Sequence, residues 1–531
     1  MLDIAEKDLR KRVRTVLAYH RRTKHRPDGY AAGPGTLDWD AQPCPYRHFA
    51  GAPVTSLPLA SGGISTPFAA LTGQSRVAAV ISDRRSVGAL LELSFGLAAV
   101  KEYGPDSWAL RCNPSSGNLH PTEAYVLAGG IGAIADGVHH YRPREHALEQ
   151  RLATRLECPG LWIGLSSIQW REAWKYGERA FRYCQLDLGH ALGALTAACD
   201  ALGWRAHVVP GIGTGKVGQL LGLDRTQDFG RAEREEPEVL VRIETGPEAG
   251  SLDSVPVPAC PDDTGWTGVA NLLDPHPMYR WPVIEAAAEA SRGMIESIAL
   301  HAGAPTVPAP QARAAEIILK RRSAQRYARD HVLPRGTFAR VLDSVSQLLC
   351  PSRLHLLAYA HNVEGLDRGL YALPRDPASQ LRLRAALDSD LAWQEVAVMP
   401  EVPALRLLAK GDFRKLVRAL TCHQAIAADA CVTFCMLAEL DDLESAGPWL
   451  YRHLHWQAGL IGHRLYLEAE ALGLGGTGIG CFLDDEVHRL LGLTDETFQA
   501  IYHFALGRAL VDERISSAPA YPGRSRSEAP W

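Results

Sequence analysis

No stretch of this chain has the composition of a membrane span. Its 531 residues contain no run of about 18 uninterrupted apolar residues, which is the length that a helix needs to cross a bilayer. The first residues, MLDIAEKDLRKRVRTV, carry charges where a secretory signal peptide has its apolar segment. We therefore expect a cytoplasmic protein that is neither exported nor embedded in a membrane.

The chain also lacks a strong excess of either charge. Its formal net charge is −4 at pH 7, and proteins that bind nucleic acid electrostatically usually present a pronounced basic surface. A small basic cluster lies within residues 1–26, and a solvated helix face explains it better than a nucleic-acid contact. We expect no nucleic-acid partner.

Cysteine pairs of the CxxC type are missing, although the chain has 11 cysteines. Cys431 and Cys435 are four positions apart, but no histidine stands at a spacing typical of zinc sites. The sequence therefore predicts free thiols in a reducing compartment and no metal site.

What the chain does contain is a repeated set of short segments. Hydrophobic residues make up 46% and charged residues 22%, as in soluble globular proteins, and the length suggests two to four domains of about 150 residues. Two segments recur 270 positions later, and others recur at offsets of 232 and 237. The pairs are Ala201-Leu202-Gly203 with Ala471-Leu472-Gly473, Leu220-Leu221-Gly222-Leu223 with Leu490-Leu491-Gly492-Leu493, residues 137–141 with 369–373, and Arg84-Arg85-Ser86 with Arg321-Arg322-Ser323. Because the matches keep one order, they indicate a tandem duplication.

Within each half, helices alternate with short apolar strands, which predicts an α+β fold. The first half has predicted strands near 124–128 and 161–165 and a long helix from about 178 to 202; the second half repeats this with a strand at 432–437 and a helix ending at Gly473. Pro- and Gly-rich segments mark a junction around a predicted helix at 281–302. The predicted division is an N-terminal extension (1–79), a first domain (80–246), a linker with one helix (247–310), a second domain (311–515) and a flexible tail (516–531).

Two segments have the composition of ligand-binding loops. The Pro-Ser-Ser-Gly-Asn segment at 114–118 offers hydroxyl and amide groups on a tight turn, although it also reads as a simple turn before a strand. Residues 473–480 contain five glycines, so their backbone N–H groups are free to face a ligand; a plain glycine-rich connector is the alternative. The second segment is not a dinucleotide-binding fingerprint, because it follows a helix rather than a strand.

Basic and aromatic residues supply further candidates. The two Arg-Arg-Ser triplets suit a phosphate group, as does Arg508 after the apolar strand near 501–506, but arginine pairs are common. Lys175 and Tyr176 stand between tryptophans and are suited to general acid–base chemistry. A helix start with aromatic packing explains that segment equally well.

Together these motifs resemble the FMN-dependent nitroreductase superfamily, and more narrowly its SagB-type dehydrogenase (azoline oxidase) branch. The resemblance covers roughly residues 80–246 and 311–515, and residues 1–79 look like the N-terminal extension of long members of that branch. It implies two fused nitroreductase-like α/β sandwich domains that form an intramolecular pseudo-dimer, with FMN between them. In the family one subunit supplies an Arg-x-Ser phosphate clamp and a glycine-rich stretch, and the other supplies a Pro-Ser-Ser-x-Asn loop.

The two halves match the family's motifs unequally. The first half has the complete Pro-Ser-Ser-x-Asn loop, where the second keeps only Pro351-Ser352. Conversely, the second half has the glycine stretch, where the first has bulky residues from Trp204 to His207. The resemblance therefore implies one complete site per chain. Its cofactor-binding residues are Pro114, Ser115, Ser116, Asn118, Arg321, Arg322, Ser323, Gly473, Gly475, Gly476, Thr477, Gly478 and Arg508, and its catalytic residues are Lys175 and Tyr176. The clamp departs from the family pattern, because Gln325 occupies a position where an arginine is frequent.

Three functions follow as hypotheses from this resemblance. The leading one is an FMN-dependent dehydrogenase that oxidises a heterocyclic or peptide-derived substrate, with Lys175 or Tyr176 removing a proton. The second is an NAD(P)H-dependent reductase of nitroaromatics or quinones. The third is a non-catalytic, flavoprotein-like scaffold in a modification complex.

Overall fold

A computed structural model describes residues 2–246, 257–260, 264–349, 352–400 and 402–531. The strands are β1 (Phe49–Ala50), β2 (Val54–Ser56), β3 (Leu97–Tyr103), β4 (Asp106–Arg111), β5 (Thr122–Gly129), β6 (Gly137–Arg142), β7 (Ala147–Ala153), β8 (Gly160–Ser167), β9 (Arg205–Val208), β10 (Glu236–Glu244), β11 (Val269–Ala270), β12 (Leu354–Ala360), β13 (Gly369–Leu373), β14 (Gln394–Val396), β15 (Leu405–Lys410), β16 (Val432–Glu439), β17 (Gly475–Ile479), β18 (Phe498–Gly507) and β19 (Ser516–Ala518). The helices are α1 (Leu2–Arg22), α2 (Phe68–Leu71), α3 (Arg84–Ser94), α4 (Gln169–Tyr176), α5 (Ala180–Ala201), α6 (Thr214–Leu221), α7 (Thr226–Phe229), α8 (Pro282–Ala290), α9 (Ala314–Lys320), α10 (Arg335–Leu349), α11 (Pro377–Ala386), α12 (Arg414–Leu420), α13 (Ala425–Asp429), α14 (Leu443–Ala446), α15 (Leu450–Ala471) and α16 (Asp484–Leu491).

Two seven-stranded antiparallel sheets have the same strand order. The first runs β2-β7-β6-β5-β8-β10-β9 and the second runs β14-β15-β13-β12-β16-β18-β17. The central strands β5 and β12 are buried along their whole lengths, as expected for strands that are covered on both faces. The α+β fold class with two fused sandwich domains is confirmed. The edge strands differ in origin, because β2 comes from residues 1–79 whereas β14 precedes its neighbour β15 directly.

The long helices α5 and α15 pack against each other at the centre of the molecule. Each has 22 residues, and the bounds of the second lie 270 positions after those of the first, as the repeat predicts. Gly189 and Gly459 face each other at the crossing, where a Cβ on Gly189 would lie 2.8 Å from the Cα of Gly459. The two glycines therefore allow a close approach of the two backbones.

The predicted helix over 281–302 is too long. The structure has α8 from Pro282 to Ala290, and residues 293–295 then pair with the loop before α6. Ile295 donates to the carbonyl of Ile212 at 3.0 Å and accepts from the N–H of Gly211 at 2.9 Å. These long-range backbone hydrogen bonds replace those of a continued helix.

The two Arg-Arg-Ser triplets lie in different settings. The first opens α3, where Ser86 forms a reciprocal capping box with Asp83. The second follows α9, where Ser323 pairs with Gly476 of β17. The offset of 237 therefore relates two segments that have different local structures.

The tail at 516–531, which we expected to be flexible, packs onto the first half. Strand β19 pairs with β3, and the hydroxyl of the buried Tyr521 donates to the carbonyl of Pro143 at 2.9 Å. The guanidinium of Arg526 pairs with the buried Glu92 at 2.6 Å. An aromatic ring and an ion pair thus fix a segment whose composition alone predicted a loose end.

Candidate functional site

A cavity of about 890 Å³ lies between the two halves. Its size is in the range of small-molecule and cofactor sites. The first half contributes the loop at 113–120 and side chains of α5, and the second contributes residues 320–325, the segment 474–481 and residues 509–512. Eleven of the residues predicted for the site line it: Pro114, Ser115, Ser116, Asn118, Tyr176, Arg321, Arg322, Ser323, Gly475, Thr477 and Gly478.

Arg321 supplies a buried positive charge to this cavity. It lies directly after α9 and is 4% exposed. Its Nε and Nη2 donate to the carbonyls of Cys112 and Arg111 at 3.2 and 3.3 Å, while Nη1 has no hydrogen-bond partner among the described atoms. Burial lowers the pKa of Arg321. Lys101 and Arg322 also line the cavity, so this end is suited to an anionic group.

The glycine segment forms the adjoining wall through β17. Tyr466 of α15 holds it in place, because the Tyr466 hydroxyl accepts from the N–H of Gly478 at 2.9 Å and lies 2.9 Å from the Ser323 hydroxyl. The N–H of Ala324 donates to the carbonyl of Gly476 at 2.9 Å. A Cβ on Gly478 would lie 1.8 Å from the Tyr502 hydroxyl. Only glycine therefore fits at that position without a shift of the wall.

The Pro-Ser-Ser-Gly-Asn loop is anchored to α5 by Asp187. The Ser115 hydroxyl donates to the Asp187 carboxylate at 2.7 Å, and the backbone N–H and hydroxyl of Ser116 donate to it at 3.0 and 2.8 Å. The side-chain amide of Asn118 donates to the carbonyl of Ala109 at 3.0 Å. Gly117 and Asn118 have positive φ angles of 60° and 61°. The loop thus has a fixed, locally strained backbone.

Lys175 and Tyr176 end α4 beside this loop. A Cβ on Gly117 would lie 2.5 Å from the Tyr176 hydroxyl and 3.2 Å from Lys175 Nζ, so both groups contact the loop at its glycine. Burial lowers the pKa of Lys175 and raises the pKa of Tyr176 well above its usual value. The amine is therefore the better proton acceptor of the two, and the phenol is a hydrogen-bond donor.

Two buried carboxyl groups, which our sequence analysis missed, lie next to these residues. Burial raises the pKa of Asp187 to about 7, against the hydrogen bonds from Ser115 and Ser116. Burial also raises the pKa of Glu172 well above its usual value, and the charge of Asp187 adds to this effect. The sequence could have indicated Asp187, because it is the one carboxylate in the long, mostly apolar stretch of α5 before Asp200.

Four of the predicted residues do not line the cavity. Gly473 terminates α15 with a φ of 70°, and a Cβ on Gly476 would contact Phe504. The side chain of Arg508 is exposed. Lys175 is not part of the wall itself, but its Nζ lies next to Gly117, which is. Pro351, which we compared with the Pro-Ser-Ser motif, lies outside the described residues.

The corresponding region of the first half is filled by the chain itself. Trp204 is buried and donates from Nε1 to the carbonyl of Val80 at 2.9 Å. The N–H of Ala206 donates to Nε2 of His301 at 3.2 Å. A Cβ on Gly203 would lie 2.5 Å from the carbonyl oxygen of Ala78. Segments of the extension and of the linker therefore occupy the space beside β9.

Within the residues that the structure describes, no helix combines the length and apolarity of a membrane span. Residues 318–508 match the model of the Nitroreductase family. The second half of the chain therefore contains a region that matches this family. A region of 129 residues is 29% identical to putative nitroreductase MJ1384 of Methanocaldococcus jannaschii, which amounts to 22% of this chain and 64% of that protein.

The nitroreductase-like fold extends beyond this region. The crystal structure of a putative nitroreductase from Anabaena variabilis superposes with a TM-score of 0.69 over 93% of this chain and 99% of that one. The sequence identity is 22%, so the likeness concerns the fold. It spans both halves of the chain, whereas the family match covers the second.

Proteins of the Nitroreductase family generally use a flavin, and the residues at the cavity fit such a group. The unpaired Nη1 of the buried Arg321 offers a donor for a phosphate group. Gly475 and Gly478 line the cavity, and as glycines they present backbone rather than side chains to a planar ring. Arg321, Arg322 and Ser323 would hold the phosphate, and the wall and the loop would flank the ring.

Proposed function

We propose that the chain is an FMN-dependent oxidoreductase of the SagB-type dehydrogenase kind, with one flavin site per chain. The observation that carries the proposal is the single cavity to which the second half contributes Arg321 and β17 and the first contributes the loop at 113–120 and Tyr176. Neither half alone supplies this set, because the bulky Trp204 fills the corresponding place in the first half.

The proposed substrate is a heterocyclic or peptide-derived compound that loses a hydride and a proton. When bound, FMN supplies the two-electron acceptor. Lys175 takes the proton at Nζ, for which its lowered pKa suits it, and Tyr176 donates a hydrogen bond from its phenol. Asp187 keeps the loop at 113–120 in place through Ser115 and Ser116.

Two other functions are compatible with the same cavity. One is an NAD(P)H-dependent reductase of nitroaromatics or quinones, and the other is a non-catalytic scaffold.

A visible spectrum of the purified chain, with flavin and protein quantified separately, tests the proposal. We expect the visible absorbance of a bound flavin and about one FMN per chain, because the motifs of both halves meet at one cavity of the described residues. Two flavins per chain contradict the composite site. A colourless chain that takes up no FMN favours the scaffold. Anaerobic bleaching by NADPH favours the reductase, and bleaching by an organic substrate alone favours the dehydrogenase.

A further inference from the structure

Two thiols face each other at the edge of the cavity. The sulfur atoms of Cys422 and Cys481 are 2.8 Å apart, and both residues line the cavity. Cys422 lies in a turn after α12, where it and His423 have positive φ angles of 54° and 61°. Cys481 lies between β17 and α16. The proposed flavin chemistry uses neither thiol.

The surroundings of Cys481 stabilise a thiolate. Nδ1 of His25 accepts from the N–H of Ala31 at 3.0 Å, so its Nε2 is the protonated nitrogen that donates to Cys481. The guanidinium of Arg179 is close, since it donates to the carbonyl of Gly480 at 3.1 Å. The contact with the Cys422 thiol is the largest of the effects that lower the pKa of Cys481, and burial opposes them.

The partner thiol is held in its protonated form. The hydrogen bond to Cys481 raises the pKa of Cys422, and burial adds to the effect. The phenol of Tyr30 hydrogen-bonds with Cys422, which offsets a part of this rise. The pair therefore places a thiol with a lowered pKa next to one with a raised pKa, as in catalytic dithiols.

We propose that Cys422 and Cys481 form a redox-active dithiol that is oxidised by low-molecular-weight disulfides. A disulfide bond is about 2.05 Å long, so the sulfur atoms need to approach by only about 0.8 Å. Both side chains are partly exposed, which gives a small disulfide access. Disulfides that form in cytosolic proteins are usually transient and catalytic or redox-sensing.

The reaction is a two-step thiol–disulfide exchange. The Cys481 thiolate attacks one sulfur of the small disulfide, forms a mixed disulfide and releases one small thiolate. Cys422 loses its proton to that thiolate or to water, and its sulfur then attacks Cys481 and releases the second small thiolate. The protein loses two electrons, which reduce the small disulfide to two thiols. This chemistry requires no flavin and is independent of the proposed function.

Oxidised glutathione is the probe. The full chain is incubated in buffers of increasing oxidised-to-reduced glutathione ratio, quenched with acid, alkylated and digested without reductant. We expect a disulfide-linked peptide pair that contains Cys422 and Cys481, and the loss of two titratable thiols. The Cys422→Ala variant should instead accumulate one glutathione on Cys481, and Cys260→Ser, at a partly exposed cysteine elsewhere, should behave like the unmodified chain.

A labelling experiment reads the thiolate directly. At pH 6 iodoacetamide should modify Cys481 at least about tenfold faster than Cys260, whose pKa burial raises, after allowing for the lower nucleophilicity of a low-pKa thiolate. The Cys422→Ala variant should lose most of this advantage. No linked peptide at any glutathione ratio, or labelling of Cys481 no faster than that of Cys260, overturns the proposal.

Discussion

The Ser115 hydroxyl donates a hydrogen bond of 2.7 Å to the carboxylate of Asp187, across the gap between a loop and the central helix. This contact anchors the Pro-Ser-Ser-Gly-Asn loop, which the sequence indicated as a ligand-binding segment, to Asp187, which the sequence did not single out. Because Asp187 also lies beside the buried Glu172, the loop is held by a group that ionises near neutral pH. The position of the loop at 113–120 is thereby linked to the protonation state of Asp187.

The first prediction concerns the pH dependence of stability. The native chain keeps a proton on Asp187 up to a pH of about 7, whereas the unfolded chain releases it near pH 4. Between these values the unfolded state binds fewer protons, so this group makes the free energy of unfolding fall as the pH rises, by at most about 4 kcal/mol. Asp187→Asn should flatten that slope and be more stable than the unmodified chain at pH 8.

Urea unfolding at several pH values between 4 and 8 measures this effect. Asp200→Asn, on the last turn of the same helix and partly exposed, is the matched control and should keep the slope. An Asp187→Asn variant with an unchanged slope would show that Asp187 is already ionised at low pH in the folded chain.

The second prediction concerns Lys175. If its amine accepts the substrate proton, Lys175→Met should lower kcat by about 10²- to 10⁴-fold while the protein stays yellow. The rate of the unmodified chain should rise with pH through the lowered pKa of Lys175, because only the neutral amine accepts a proton.

Tyr176→Phe should reduce the rate less than Lys175→Met, since burial keeps the phenol protonated and unable to act as a base. Lys216→Met, at an exposed position of α6, is the control for loss of a positive charge. Full turnover by Lys175→Met would show that Lys175 does not accept the substrate proton.

Part of this site was readable from the sequence because local motifs record local geometry. The loop at 114–118 and the glycines of β17 carry their backbone requirements in their residue types, and both line the cavity. The pair of long helices was predicted together with its offset of 270. In these cases the residues that form the sequence pattern are the same residues that determine the local geometry.

The remainder depends on contacts between distant segments. The side chain of Arg508 points to solvent although the preceding strand is buried, and its direction is set by the sheet rather than by its neighbours in sequence. Residues 293–295 were predicted to be helical, but their backbone groups hydrogen-bond to residues near 212 instead. The thiol of Cys422 meets that of Cys481, 59 positions away, and no spacing rule for cysteines anticipates such a pair.

The third prediction separates the two Arg-Arg-Ser triplets. Arg321→Met should weaken flavin binding by about 10- to 100-fold, since a charge-assisted hydrogen bond contributes about 1.5–3 kcal/mol. Arg84→Met removes an exposed arginine from the first turn of α3 and should leave the affinity unchanged. Titration of the flavin-free chain with FMN, followed by fluorescence quenching, measures both. Equal losses in the two variants would place a phosphate at each triplet.

The fourth prediction concerns the crossing of α5 and α15. A Cβ on Gly189 would lie 2.2 Å from the carbonyl oxygen of Trp456, and because the obstacle is backbone, the helices must separate. Gly189→Ala should therefore destabilise the chain by about 1–3 kcal/mol and lower its urea midpoint. Gly215, also helical, has nothing within 4 Å of a Cβ, so Gly215→Ala should stabilise by about 0.5–1 kcal/mol. If both variants unfolded at the same urea concentration, the close crossing of the helices would be wrong, because helix propensity alone favours alanine at either position.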